Sequence, residues 1–433
     1  MTAATTRART TPGGRGPGVP AWRSTARVIT VDLSAPLPDL VAAAPGEPQP
    51  FAVLVTLCHR AIGMVLLDGP VPAEVLAAEV WGQVGDLAVA EARAHQLAPT
   101  SLDGGGWVHD QCVVRDRRAR IVAEGPAITV AVATRNRASA LRTLLDSMAA
   151  LDYANKQLLV IDNNPSDEST LELVRSLPYE VDYVREPVPG LAAARNRAVA
   201  EAAHPVLAFL DDDEVVDPWW LSALAEEFVA DPTIGAVTGL VLPAELATEA
   251  QVAFERVGGH TKGRGFERAR FERDGVQSPY LPAPGFGAGA NFAAPVALLK
   301  EIGGFDEALG AGTPTKGSED TLAFTEVLLA GRAIVYTPAA YTWHFHRRST
   351  EALTSQLSGY GLGLGAFYTA LVVRRPARVF GLALTALRLL LGLVRRGRPA
   401  PAEEPVFDSR GSVLQRARDM VRGCVVYLRT RRR

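Results

Sequence analysis

From Ala127 onward, the chain alternates short continuous apolar runs with longer stretches in which apolar residues recur at helical spacing. Ile128 to Ala133 is unbroken, and Leu141, Leu144, Leu145 and Met148 then share one helical face. Leu158 to Ile161 is the next short run, followed by a helix pattern through Leu171 and Val174. Val181 to Val184, Leu191 to Ala203 and Val206 to Leu210 continue the alternation. Strands apolar on both faces and separated by helices predict an α/β fold, a parallel-core sheet covered on both sides.

The flanks follow other patterns. Phe51 to Leu57 and Ile62 to Leu67 bracket a turn at His59-Arg60, and Leu76, Val80, Val84 and Leu87 then form a helical stripe opened by Pro72. This predicts a small N-terminal α/β unit which, with a linker containing Pro99 to Gly106, fills 26–123. Residues 1–25, rich in Thr, Gly, Pro and Arg, are expected to be a disordered arm. The central unit is expected over 124–352 and a helical, Arg-rich tail over 353–433. In that tail Val379 to Val394 is too short to span a hydrocarbon core of ~30 Å. It is expected to lie in a membrane interface, its alternative being a helix packed on the main unit. Chain beyond Ser355 is then dispensable for the central site.

Composition adds little except about compartment. A hydrophobic fraction of 48%, 21% charged residues and a net charge of −2 name no partner, and no nucleic acid is expected. Cys58, Cys112 and Cys424 lie far apart without CxxC spacing, which argues against a disulfide framework or zinc site and for a reducing compartment. The first residues carry charge but no apolar core of a secretory signal, so the expected location is cytoplasmic, at the inner face of the membrane if the tail binds there.

Ligands of such sheets bind beyond the carboxyl ends of the strands. The polar residues there are Thr134 to Arg137, Asp162 to Asn164, Arg185-Glu186 and Asp211 to Glu214. Consecutive carboxylates at a buried strand end repel one another, and a hard cation such as Mn2+ or Mg2+ relieves that and can neutralise a diphosphate. A solvated acidic turn before a helix is the competing explanation. Three later segments matter as well. Gly285 to Asn291 lets backbone approach a ligand, Glu319-Asp320 opens an apolar helix, and His344 and His346 sit two apart on an extended segment.

In order, ITVAVATRNR (128–137), LLVIDNNPSD (158–167), YVREPVPGLAAARN (183–196), VLAFLDDDEVVDPWWL (206–221), GAGANFA (287–293), GGFDEAL (303–309), GSEDTLAF (317–324) and WHFHR (343–347) resemble the family 2 glycosyltransferases. Those are inverting enzymes of GT-A fold that use nucleotide-sugar donors. The resemblance covers about 128–350, and each motif is modest alone; their order is what is specific.

The resemblance implies roles residue by residue. Thr134, Arg135 and Arg137 would meet the nucleotide, and Asp162 would accept from its base. Gly190, Arg195 and Asn196 would lie beside nucleotide and phosphates. Asp211 and Asp213 match the DxD pair, Asp211 also nucleotide-side and Asp213 the more direct metal ligand. Asp320 matches the general base, with Glu319 its substitute, and His344 or His346 a late metal-side ligand. Gly289 and Asn291 fall on the acceptor or donor-sugar side. The implied partners are a nucleotide-diphosphate sugar, an unidentified glycan or lipid-linked acceptor, and peripheral contact of the tail with membrane.

No Q-x-x-R-W segment follows Asp320, which favours one transfer over polymerisation. A nucleotidyltransferase or a dinucleotide-binding oxidoreductase would want glycine directly after the first strand, and Thr134 to Arg137 has none. The remaining alternative is a GT-A-fold nucleotide-binding or scaffolding protein without catalysis.

Overall fold

The structure is a computed structural model that describes residues 16–42, 50–261, 264–276, 278–281, 286–396 and 409–432, without the side chains of 388–417. The N-terminal unit comprises β1 (Arg27–Asp32), β2 (Phe51–Leu57), β3 (Arg60–Leu67) and α1 (Ala73–Ala94), and α2 (Val113–Glu124) connects it onward. The central unit begins β4 (Ile128–Thr134), α3 (Ala138–Met148), β5 (Lys156–Asn163), α4 (Ser169–Arg175), β6 (Asp182–Glu186), α5 (Leu191–Glu201), β7 (Val206–Asp211). It continues β8 (Glu214–Val216), α6 (Trp220–Ala230), β9 (Ile234–Pro243), α7 (Glu249–Arg256), β10 (Ala269–Phe271), β11 (Asn291–Pro295), α8 (Val296–Glu301), α9 (Glu319–Leu329), β12 (Ala333–His344). Three helices follow, α10 (Thr350–Arg374), α11 (Arg378–Arg396) and α12 (Ser409–Thr430).

The large sheet has nine strands in the order β10-β12-β9-β11-β7-β4-β5-β6, with β8 paired to β12. β4, β5, β6 and β7 run parallel, as the alternation predicts, while β11 is antiparallel to both β7 and β9. Alternate residues of one strand feed two cores. Val130 and Val132 pack with Leu141, Leu144, Leu145 and Met148 of α3, whereas Ala131 faces the core of Phe209, Phe292 and Phe305. Each fully buried Leu or Met stabilises by roughly 1.5–3 kcal/mol, so the α3 stripe alone fixes that helix on the sheet. The parallel register sets Ala133 beside Asp211 and Thr134 beside Asp162, which brings the strand-end polar residues together.

The N-terminal sheet shares this core. Ala52, Leu54, Ala61 and Met64 pack with Phe266 and Tyr336, while Val53, Val55 and Val65 face Leu76 and Val80 of α1. Within the expected arm, residues 1–15 lie outside the described residues, but the next segment is docked. Met64 N donates to Gly18 O (2.9 Å), Phe266 N to Pro17 O (2.9 Å), and Trp22 is buried. An indole that can cover this seam outweighs the local Gly and Pro content.

The tail is helical, as its pattern predicts, and part of it is packed on the central unit. α10 packs along α12 and over α9, with Phe367, Ala370, Leu371 and Tyr427 in one cluster with Leu309 and Leu322. At the start of α11, Arg378 forms a buried two-point ion pair with Glu326. Among the described residues, no helix is long and apolar enough to cross a membrane.

Candidate functional site

A cavity of about 970 Å³ opens beyond the carboxyl ends of β4, β5 and β7, roofed by α10. Its floor is the acidic turn. Asp212 accepts from Thr134 Oγ1 (2.7 Å) and from Arg137, whose Nη2 also donates to Asp213 Oδ2 (2.8 Å). His344 Nε2 lies 3.2 Å from Asp213 Oδ1, and Arg347 Nη1 3.9 Å from Asp213 Oδ2. Burial works against the charge on Asp213, but His344 and Arg137 overcome it and hold its carboxyl well below the usual range. Asp212 is pushed up to about 6 by burial, against the pull of Arg137. Asp211 is raised by desolvation and by Asp213, with Arg195 opposing.

Ligand atoms of Asp211, Asp213 and His344 all lie within 4.8 Å of one another. The imidazole is held from behind. His346 Nε2 contacts Glu255 Oε1 at 2.8 Å, and His346 Nδ1 contacts His344 Nδ1 at 3.0 Å. A carboxylate only accepts, so His346 carries its proton on Nε2; burial lowers its proton affinity, which favours the neutral ring. His344 then donates through Nδ1 to His346, and its Nε2 is turned to Asp213. The structure thus places His344, not His346, beside the acids; His346 orients it.

A second layer centres on Arg195 of α5. Its Nη1 donates to Glu319 Oε1 (2.8 Å), its Nη2 to Gly289 O (2.7 Å), and Nη2 lies 3.5 Å from Asp211 Oδ1. Phe209, Phe292 and Phe305 surround the guanidinium at 5.8, 5.6 and 5.7 Å from their ring centroids. Glu319 is buried, and that burial, with the nearby Asp320 charge, lifts it to about 7 against Arg195. Asp320 is half-buried in the cavity wall, accepting from Gly289 N (2.9 Å) and Thr321 N (2.6 Å).

Thr134, Arg135, Arg137, Arg195, Asp211, Asp213, Gly289, Glu319, Asp320 and His344 therefore line one cavity. Five candidates do not, each for a physical reason. Asp162 is fully buried under the sheet end, accepting from Tyr183 Oη (2.7 Å), and its neighbour Asn163 reaches the cavity instead. Gly190 caps α5 at φ 132°, where its missing side chain admits Thr313. Asn196 clamps the turn at Phe305 through backbone N and O (2.8 and 2.9 Å). Asn291 is buried, accepting from Trp220 Nε1 (2.9 Å) and donating to Ala340 O (2.9 Å), so it ties strands together and does not line the cavity. His346 is the orienting ring already described.

Several cavity residues were given no individual role by the sequence: Asp212, His260, Lys316, Arg347 and, on α10, Gln356 and Tyr360. Ser355, Gln356, Gly359 and Tyr360 share a helical face polar enough to have flagged a wall. Chain beyond Ser355 is therefore part of the site.

Residues 129–277 match the family model described as glycosyl transferase family 2. The matched span runs from β4 to just past β10 of the central unit. The chain is 24% identical over 266 residues to a pre-mycofactocin glycosyltransferase of Mycobacterium tuberculosis, covering 61% of this chain and 51% of that protein. It is 31% identical over 121 residues to poly-beta-1,6-N-acetyl-D-glucosamine synthase of Staphylococcus aureus, 27% of this chain and 29% of that protein. The chain thus spans about half or less of the curated relatives it matches. In structure it overlaps a mannosyltransferase from Pyrobaculum calidifontis in complex with GDP-Man and Mn2+, at a TM-score of 0.46 and 19% identity, over 70% of this chain and 87% of that one. The matched span contributes the acidic turn and Arg195 to the cavity, while Asp320, His344 and α10 come from chain beyond it.

Proposed function

We propose that this protein transfers a sugar from a nucleotide-diphosphate sugar to an acceptor hydroxyl, with inversion, metal assistance and a single transfer per encounter. One observation carries this: a single cavity holds two carboxylates and an imidazole on its floor and a separate carboxylate, Asp320, on its wall. The donor set of Asp211, Asp213 and His344 suits a hard divalent cation, and the imidazole favours Mn2+ over Mg2+. When bound, that cation supplies Lewis-acid stabilisation of the leaving diphosphate.

The other steps fall to the chain. Arg135, Arg137, Arg347 and Lys316 line the cavity and offer charge-assisted hydrogen bonds to phosphate oxygens. Asp320 takes the proton from the acceptor hydroxyl as the oxygen attacks the anomeric carbon from the face opposite the diphosphate. Glu319 is less suited, because it is buried against Arg195. Its task is to hold Arg195 beside Asp211. Single transfer rests on the sequence after Asp320.

The test is a thermal-shift screen of UDP and GDP with and without Mn2+. A nucleotide at 100 times its Kd should add about 2.7 kcal/mol, and that gain should vanish with EDTA. No shift with any nucleoside diphosphate, or shifts indifferent to EDTA, would overturn the assignment. We further propose that the enzyme acts at the cytoplasmic membrane face on a lipid-linked or other envelope acceptor. Phe380, Leu384 and Leu387 are exposed at helical spacing on α11, which is Arg-rich.

A further inference from the structure

Outside the cavity lining, the N-terminal unit gathers four side chains that share no motif. Cys58 comes from the β2–β3 turn, His95 from the end of α1, His109 from the following loop and Cys112 from the start of α2. Their ligand atoms all lie within 4.8 Å of one another, and all but His109 are buried. Cys58 Sγ is 3.8 Å from Cys112 Sγ and 3.7 Å from His109 Nε2, and Cys112 Sγ is 3.0 Å from His95 Nδ1. Both thiols are free.

A tetrahedron with Zn–S of about 2.3 Å and Zn–N of about 2.0–2.1 Å has edges of about 3.8 Å between sulfurs and about 3.5 Å between sulfur and nitrogen. Two of the measured edges match, and the Cys112–His95 edge has to widen by about half an ångström. The outer nitrogens are already engaged. His109 Nδ1 lies 2.7 Å from the Trp107 carbonyl and His95 Nε2 3.3 Å from Glu91 Oε1. Both partners only accept, so in the neutral rings the outer nitrogens carry the protons and the inner lone pairs converge with the sulfurs. A carboxylate or carbonyl behind each ring is the usual support of a metal-bound histidine.

The turn that presents Cys58 is also held against its own preference. Cys58 and His59 have φ of 49° and 65°, where a two-residue hairpin turn favours Asn-Gly. Asp32 fixes them, accepting from Cys58 N (3.0 Å) and His59 N (2.7 Å).

We propose that Cys58, His95, His109 and Cys112 bind a structural zinc ion that staples the N-terminal unit to α2. With four protein ligands the coordination is closed, so the ion has no place for substrate. The staple extends to the central unit. Arg118 of α2 donates to Cys58 O and stacks over Trp219 at 4.8 Å, while His59 lies 3.2 Å from Asp217 at the entry to α6.

The test measures metal in the full-length protein after dialysis against EDTA, with an Asp213→Asn background to remove any ion held in the cavity. Stoichiometric zinc should persist in both backgrounds, and it should fall to background in Cys112→Ser and in His109→Gln, with a lower Tm. Cobalt exchanged into the wild-type chain should show thiolate-to-cobalt charge-transfer absorption, a readout that does not depend on the variants folding. A wild-type chain without zinc and without that absorption, or one in which Cys58 and Cys112 are found as a disulfide after purification, would overturn the assignment.

Discussion

Replacing Gly289 by alanine tests the proposed base through its geometry and leaves its chemistry untouched. Gly289 has no positive φ, so alanine meets no backbone penalty there; the obstacle is Asp320. A Cβ at Gly289 would lie 2.5 Å from Asp320 Oδ2, 2.7 Å from its Cβ and 2.9 Å from its Cγ, where ordinary contact begins at 3.4 Å. The carboxylate has to retreat by about 1 Å and gives up its 2.9 Å hydrogen bond from Gly289 N. A displacement of that size at a reacting group costs about 10²-fold in rate. Turnover should therefore drop by about two orders of magnitude while Mn2+-dependent nucleotide affinity stays near wild type. Asp320→Asn should lower turnover by about 10²–10⁴-fold. If both act on one carboxylate, the double variant should be no slower than Asp320→Asn alone, a strongly non-additive cycle. The assay is a single-turnover transfer measurement beside calorimetric nucleotide binding. Wild-type turnover in Gly289→Ala, or additive losses in the double variant, would refute the role of Asp320.

Three further outcomes are expected. Asp213→Asn should abolish transfer and most Mn2+-dependent nucleotide binding, and full activity of that variant, or of wild type in excess EDTA, would remove the cation from the mechanism. Glu319 holds its proton more tightly in the folded state, its value lifted from the ordinary 4.5 to about 7 by burial, so its contribution to stability is lost as pH rises through that window. Glu319→Gln should flatten the fall in Tm between those pH values, and parallel Tm–pH curves would show that Glu319 does not titrate there. Truncation after Ser355 should destroy nucleotide binding, whereas Phe380→Glu, Leu384→Glu and Leu387→Glu together should abolish flotation with anionic liposomes and spare nucleotide binding; a full-length chain that never floats would leave α11 without a membrane role.

The parallel core was legible because β4, β5 and β7 are buried on both faces, which writes continuous apolar runs into the sequence. The placement of the acids was legible for the same reason, since the parallel register of those strands sets Asp211 beside Ala133 at their carboxyl ends. Asn291 was not, because an amide that satisfies Trp220 and Ala340 inside a sheet looks in sequence like one that faces a ligand. The α10 wall left only a weak apolar stripe, because small residues, Gly359 and Gly363 among them, pack closely on Lys316 and Ser318; the polar face of Ser355, Gln356 and Tyr360 was the one signal for it. The Cys and His cluster was hidden by distance along the chain: only tertiary folding brings Cys58 to Cys112, and a search for close cysteine spacing passes over it.

The pairing of Arg137 with Asp212 and Asp213 bears on the order of events. In the protein as it stands the anionic floor is already countered by Arg137 and Arg347, so a bare cation arrives at a surface whose attraction is largely cancelled. On the proposed function a diphosphate would change that balance, because it would offer Arg137 a better anion and free Asp213 for the proposed cation. Nucleotide and cation should then load as one complex, each raising the affinity of the other by the same factor. On that proposal the guanidinium would act as a placeholder that keeps the carboxylates from capturing stray cations until the donor is there to use one.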